Sequence, residues 1–170
     1  SPRARMQPST VLVRGRLVHD IEFDGIDGFR VGGWLTLPES GAVTCGIVFG
    51  HGYGGRSSPD APIPLDDAAV ILPCARGFNR SARPDLPADS MRHVLYGIES
   101  VETYLHRFCV SDLWSATSAL VELVPDVGTK LFYCGESFGG GIGALALPWE
   151  PRWRAAFVDV PSFGNHPLRV

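Results

Sequence analysis

Apolar and polar positions first alternate along this chain and later gather into unbroken runs. Val18–Phe23 (VHDIEF) and Phe29–Leu35 (FRVGGWL) alternate with a period of two, and Asp24-Gly-Ile-Asp-Gly28 between them is rich in turn residues. This predicts an antiparallel hairpin. The later runs are short and rich in β-formers: Gly46–Gly50 (GIVFG), Ala69–Leu72 (AVIL), Leu131–Cys134 (LFYC) and Ala155–Val160 (AAFVDV). Runs of that kind suit the central strands of a mostly parallel sheet covered on both faces.

Helical signals fall between these runs. Ser111 or Asp112 is placed to cap a segment whose Leu113, Ala116, Leu120 and Leu123 recur at helical spacing, ending before Pro125. A second helix is predicted from near Ser137 to Pro148, because the residue before a proline is pushed out of the helical region. Asn79–Ser90 (NRSARPDLPADS) reads as a loop, and Met91–Phe108 carries no clear period beyond room for a short helix. Alternating strands and helices indicate an α/β fold: a mostly parallel central sheet with flanking helices and an N-terminal antiparallel hairpin. One domain spans residues 1–170, with residues 1–10 expected as a flexible N-terminus.

Composition narrows the function classes. With 45% hydrophobic and 19% charged residues, the 170-residue chain can bury one sizeable core. Its 15 basic and 18 acidic residues give a net charge of −3 without runs, so no polybasic face exists to attract nucleic acid or anionic lipid. No apolar run approaches the ~20 residues that cross a bilayer, and a cytoplasmic location is expected. Cys45, Cys74, Cys109 and Cys134 lack paired spacing and read as buried free thiols. With no C-x-x-C or H-x-x-x-H pattern, neither a metal nor a cofactor is expected.

The chemistry concentrates in Leu131–Leu147, LFYCGESFGGGIGALAL. A strand, a glycine, Ser137 two places on, and glycines running into a helix make the G-x-S-x-G nucleophile elbow in its required setting. The turn is sharp, so glycines stand where a side chain would collide. The N–H of Phe138, at the helix start, points into the site. In the bland alternative, Ser137 only caps the helix. A dinucleotide site is a third reading, since Gly139-Gly-Gly-Ile-Gly-Ala144 fits G-x-G-x-x-A and Asp159 ends the next strand. Its register is wrong. That fingerprint begins directly after the strand, where this chain has Gly135-Glu-Ser137, so the matching glycines fall inside the helix and let it approach the sheet.

A second element lies upstream, in Phe49-Gly-His-Gly-Tyr-Gly-Gly55. A strand running into H-G-x-G-G supplies a loop whose backbone N–H can face the serine, the other half of an oxyanion hole. Two such donors are worth roughly 10²–10³ in rate each.

With both elements placed, the chain resembles the acetyl xylan esterase and cephalosporin C deacetylase family of α/β hydrolases. The matching features are the hairpin from Phe23 to Pro38, HGYGG at 51–55, ARGF at 75–78 and GI.S...Y..R....D from Gly97 to Asp112. GESFGGGIGALA at 135–146 and R.RAAFVDVPSF at 152–163 complete the set. The resemblance implies Ser137 as nucleophile, the N–H groups of Tyr53 and Phe138 as oxyanion hole, and the Tyr53 ring as a wall of a small acyl pocket. Phe78 stands where the family has glutamine and Cys74 where aspartate is common. Phe138 replaces a usually polar residue, which would make the mouth of the site more apolar.

In this fold the acid and the histidine of the triad follow a seventh and an eighth strand, in the order Ser, Asp, His. The sequence stops after the sixth, so the expectation is a truncated α/β-hydrolase fold lacking the last two strands. His166, in the tail after that strand, could fold back or reach a neighbouring subunit; the default is an exposed residue. An unpaired strand edge at residues 155–160 would pair or aggregate, giving an expected homodimer about a two-fold axis. The functional expectations are therefore two. One is a carboxylic ester hydrolase acting on acetyl esters of sugars or similar small acyl esters. The other is a non-catalytic module that binds a small ligand or a protein.

Overall fold

In the computed structural model, which describes residues 1–163, eight strands form one mixed sheet and three α-helices pack around it. The strands are β1 (Arg5–Gln7), β2 (Leu12–Val13), β3 (Arg16–Asp24), β4 (Arg30–Pro38), β5 (Cys45–Gly50), β6 (Ala68–Pro73), β7 (Leu131–Glu136) and β8 (Trp153–Asp159). The helices are α1 (Ser90–Leu95), α2 (Leu105–Leu123) and α3 (Phe138–Ala146). Across the sheet the order is β1-β3-β4-β6-β5-β7-β8, with β2 beside β3. The four strands β6, β5, β7 and β8 run parallel, and the hairpin β3–β4 joins them antiparallel through β6.

The expected hairpin forms, with Asp24 opposite Arg30 at its closed end. Its strands are longer than the alternating runs because Arg16 and Thr36, both buried, continue the ladder and hydrogen-bond to each other at 3.2 Å. Part of the N-terminal stretch expected to be flexible, Arg5–Gln7, pairs with β3.

β6 shows how unbroken apolar runs are used. Ala69 and Ile71 face one core cluster while Ala68, Val70 and Leu72 face another, so both faces are dry. The first cluster packs under α2 and α3. The second lies against Ala61 and Ile63 of the β5–β6 connection. The two long helices thus share one face, and an irregular segment rather than a helix covers part of the other among the described residues. β8 is an edge strand with Phe157 68% exposed, the surface on which the expected self-association would be built.

α2 corrects the expected start of its helix. It begins at Leu105, not at Ser111 or Asp112, which lie inside it. Ser111 donates back to the Phe108 carbonyl, and Asp112 is buried on the core face beside Cys109, Leu113 and Ala116. A charge in an apolar stripe looks like a helix cap on a sequence pattern alone; here it meets a buried partner. α3 runs as expected from just after Ser137 and gives way at Leu147–Trp149 to a 3-10 turn containing Pro148. α1 supplies the short helix that the 91–108 region had room for, and Asp89 caps it by accepting from Arg92 N–H.

β5 has β6 on one side and β7 on the other, so the chain reverses direction across the sheet there. Crevices at the carboxyl ends of strands flanking such a switch point are where open α/β sheets bind ligands. Gly50 ends β5 and Glu136 ends β7, which brings the two glycine-rich loops to one place.

Candidate active site

The elbow is built by backbone approaching backbone. A Cβ on Gly135 would stand 2.7 Å from the carbonyl carbon of Gly139, and one on Gly139 would stand 2.6 Å from that of Gly50. The outer glycines of G-E-S-F-G therefore touch each other, and the second touches the end of β5. Tyr133, fully buried, donates its hydroxyl to the Gly139 carbonyl at 2.5 Å, and Gly139 N–H donates to the His51 carbonyl at 2.9 Å. The helical glycines let α3 close on the sheet, as the register argument required.

Ser137 is held at φ +49° and ψ −111°. A non-glycine residue pays roughly 1–3 kcal/mol for backbone of that kind, and such strain collects at functional sites. Three hydrogen bonds hold it: its N–H donates to the Asp159 carbonyl at 2.9 Å, and its own carbonyl accepts from Gly141 N–H at 2.9 Å and Ser162 N–H at 3.0 Å. The hydroxyl makes no capping bond to α3, so the capping reading fails. Ser137 is half-buried at the mouth of the crevice.

The loop after β5 lies over this serine. A Cβ on Gly52 would be 3.7 Å from Ser137 Cβ, which puts Tyr53 one residue from the hydroxyl's neighbourhood. Among the described residues, the N–H groups of Tyr53 and Phe138 donate to no other group. Their rings stack on one another, with centroids 4.3 Å apart and planes at 28°. Phe138 is only 2% exposed, so its ring faces inward. The expectation that it would make the mouth more apolar is corrected: the side chain locks the two loops together instead.

Phe78, in the place of the family's glutamine, is buried beside the His93 ring at 4.9 Å and the Tyr53 ring at 6.2 Å. The apolar ring fills the space from which a hydrogen-bonding side chain would otherwise act. Cys74 is fully buried, and the other three cysteines expected as free thiols are buried too.

Arg76 is the charged anchor under the loops. Its guanidinium, 4% exposed, is bidentate to Asp112 at 2.7 and 2.8 Å and bidentate to Asp27 at 2.6 and 2.7 Å. Phe29 and Phe108 lie on its faces, 4.3 and 4.9 Å from the ring centroids. Burial pulls the Arg76 pKa down, but the hydrogen bonds to Asp112 and Asp27 outweigh it and raise it. Asp27 is held below the usual carboxylate range by its hydrogen bonds to Arg76. Burial lifts Asp112 to about 6, with Arg76 opposing the rise. The cluster ties the hairpin turn, the β6 end and α2 into one block. The ARGF stretch does not show its partners in sequence; the usable signal is an aspartate inside the apolar stripe of α2.

Each described histidine makes a hydrogen bond to a group other than Ser137. His51 Nε2 accepts from Ala75 N–H at 2.9 Å, which places its proton on Nδ1 facing the Gly52 carbonyl at 2.7 Å. Burial lowers its pKa to about 4. His93 Nε2 donates to the Arg76 carbonyl at 2.9 Å, His106 lies between the Tyr53 and Tyr104 hydroxyls, and His19 Nδ1 accepts from Ser9 N–H. None is hydrogen-bonded to Ser137. His166 lies outside the described residues. No group of three or more potential metal ligands occurs among the described residues, and none of their helices is long and apolar enough to cross a membrane.

Comparisons with known proteins give the family and the fold. The sequence model of the family "Acetyl xylan esterase (AXE1)" matches residues 1–169. Acetyl xylan esterase 1 from Thermoanaerobacterium sp. JW/SL YS485 superposes with a TM-score of 0.79 at 21% identity, over 99% of this chain and 55% of that one. An acetyl xylan esterase from Paenibacillus sp. R4 gives 0.78 at 20% identity, over 92% and 52% of the two chains. An α/β hydrolase from Penicillium sp. sh18 gives 0.62 at 21%, over 89% and 50%. At these identities the likeness shows the fold, that of an α/β hydrolase, and the chain spans about half the length of these structures. A search of curated proteins returned no match.

Proposed function

The chain belongs to the acetyl xylan esterase family, and from that premise we propose that it carries the nucleophile and oxyanion hole of a carboxylic ester hydrolase acting on acetyl or similar small acyl esters. The observation that carries the proposal is the backbone of Ser137, strained at φ +49° with its hydroxyl spared from capping. A strained backbone that presents a hydroxyl with no capping role points to a group held for chemistry.

In this reading Ser137 Oγ attacks the ester carbonyl carbon, and the developing oxyanion accepts hydrogen bonds from the N–H groups of Tyr53 and Phe138. The alkoxy group leaves with a proton, giving acyl-Ser137. Water then attacks that acyl carbon, releasing the carboxylic acid and restoring the hydroxyl. The Tyr53–Phe138 stack at 4.3 Å supports the reading by holding the two loops that carry the donors against each other. The base that takes the Ser137 proton comes, in this proposal, from outside residues 1–163, because none of the described histidines is hydrogen-bonded to Ser137. General-base help of that kind is worth roughly 10²–10⁴ in rate.

That no described histidine is bonded to Ser137 also favours a second reading, in which the crevice binds a small acyl ligand without turning it over. Hydrolysis of p-nitrophenyl acetate by the chain and by its Ser137→Ala variant separates the two. A rate abolished by the substitution supports the hydrolase; equal rates reject it.

A further inference from the structure

Beside the elbow lies a hydrogen-bond chain that neither the nucleophile nor the oxyanion donors require by themselves. Tyr104, the residue just before α2, donates its hydroxyl to the Val94 carbonyl of α1 at 3.0 Å. A phenol has one proton to give. Toward His106 Nδ1, 3.0 Å away, the Tyr104 oxygen is therefore an acceptor, and Nδ1 must carry the hydrogen. A neutral imidazole carries only one N–H, so Nε2 is bare and accepts the hydroxyl of Tyr53 at 2.8 Å. The sequence of donors is forced: Tyr53 to His106, His106 to Tyr104, Tyr104 to Val94.

We infer that His106, as the Nδ1–H tautomer, is the positioning residue for the Tyr53 half of the oxyanion hole. The inference rests on the proposed role of the Tyr53 N–H. His106 is 3% exposed and sits on the first turn of α2, so its ring is fixed by the core rather than by the loop it holds. The loop that carries Tyr53 contains three of the glycines in HGYGG and has little stiffness of its own. Ring packing alone leaves Tyr53 free to slide along the Phe138 face, and the hydrogen bond at its far end fixes where along that face it stops. Burial lowers the His106 pKa to about 4, so the neutral form the chain needs is present at pH 7. Oxyanion donors act only when aimed at the developing charge, so a displaced Tyr53 N–H is expected in kcat and not in KM.

Two measurements on the full chain test this. Nitrogen NMR of the imidazoles at pH 7.5 is expected to show His106 protonated at Nδ1 and bare at Nε2. Tyr53→Phe is expected to shift the His106 Nε2 resonance; the opposite tautomer, or no shift, overturns the inference whether or not the chain is an esterase. In p-nitrophenyl acetate hydrolysis, His106→Phe is expected to lower kcat about tenfold or more with KM within about twofold, a fraction of the full loss of a donor. His106→Gln, whose amide can accept from Tyr53, is expected to recover part of that kcat and serves if the Phe variant fails to fold. Equal kcat in wild type and both variants overturns the inference, and so does a Gln variant that folds but recovers none of the loss. A wild-type rate equal to that of Ser137→Ala instead rejects the hydrolase reading, and with it the role of Tyr53 on which the inference rests.

Discussion

Replacing Ser137 by alanine and by glycine removes the hydroxyl equally, yet only glycine relieves the backbone. Ser137 sits at φ +49°, ψ −111°, where a side chain costs roughly 1–3 kcal/mol. Glycine adopts that region freely but gives up about 0.5–1 kcal/mol relative to alanine in unfolded-chain entropy. The difference leaves Ser137→Gly more stable than Ser137→Ala by about 1–2 kcal/mol. Ser137 is half-buried and its Cβ has ordinary contact distance to the Gly52 position, so packing adds little to either variant. For a chain of this size the gap corresponds to about 2–8 °C in Tm. Urea unfolding of both variants at pH 7.5 measures it. An alanine variant as stable as the glycine variant would refute the claim that strain is stored at the elbow.

Other expectations follow from the groups packed around it. Arg76→Met strands the buried Asp112 carboxylate and is expected to cost about 3–5 kcal/mol in urea unfolding; Asp27→Asn, at a side chain 38% exposed, is expected to cost clearly less, and equal losses would contradict the cluster's geometry. Gly139→Ala drives a Cβ into the backbone of Gly50 and His51 and is expected to cost about 1–3 kcal/mol while lowering any Ser137-dependent rate; an unchanged rate and stability would show that β5, β7 and α3 are not locked together. His51 falls from 6.5 unfolded to about 4 folded, so between those values the unfolded state binds more protons and stability drops as pH falls. Over that window the loss from His51 reaches about 3 kcal/mol, and Asp112, raised to about 6, opposes it. His106, also lowered to about 4 by burial, contributes in the same direction as His51. The difference in unfolding free energy between pH 7.5 and 4.5 is therefore expected to shrink but not vanish when His51→Gln removes one titrating ring; an unchanged difference would put the acid sensitivity elsewhere.

The strands and the elbow could be read from the chain because their signals are local. Four apolar runs became β5 to β8, and Gly135, Ser137 and Gly139 declare a turn that only glycines can flank. What escaped the reading is long-range. Asp112 resembles a helix cap until Arg76 and Asp27 arrive from residues 36 and 85 positions away in sequence (112 minus 76, and 112 minus 27). His106 and Tyr104 sit in a segment with no clear period, and only the fold brings them to Tyr53. Phe138 looked like a surface feature because its neighbours in sequence are at the site. Its ring turns the other way because Tyr53 offers it a stacking face.

The central claim is that the Ser137 hydroxyl is the nucleophile of this site. Incubation with a fluorophosphonate, followed by peptide mass spectrometry, tests it without assuming which ester is hydrolysed. The expected result is one adduct, on Ser137 and absent from Ser137→Ala. An unlabelled Ser137, or label distributed over other serines at equal rates, would contradict it.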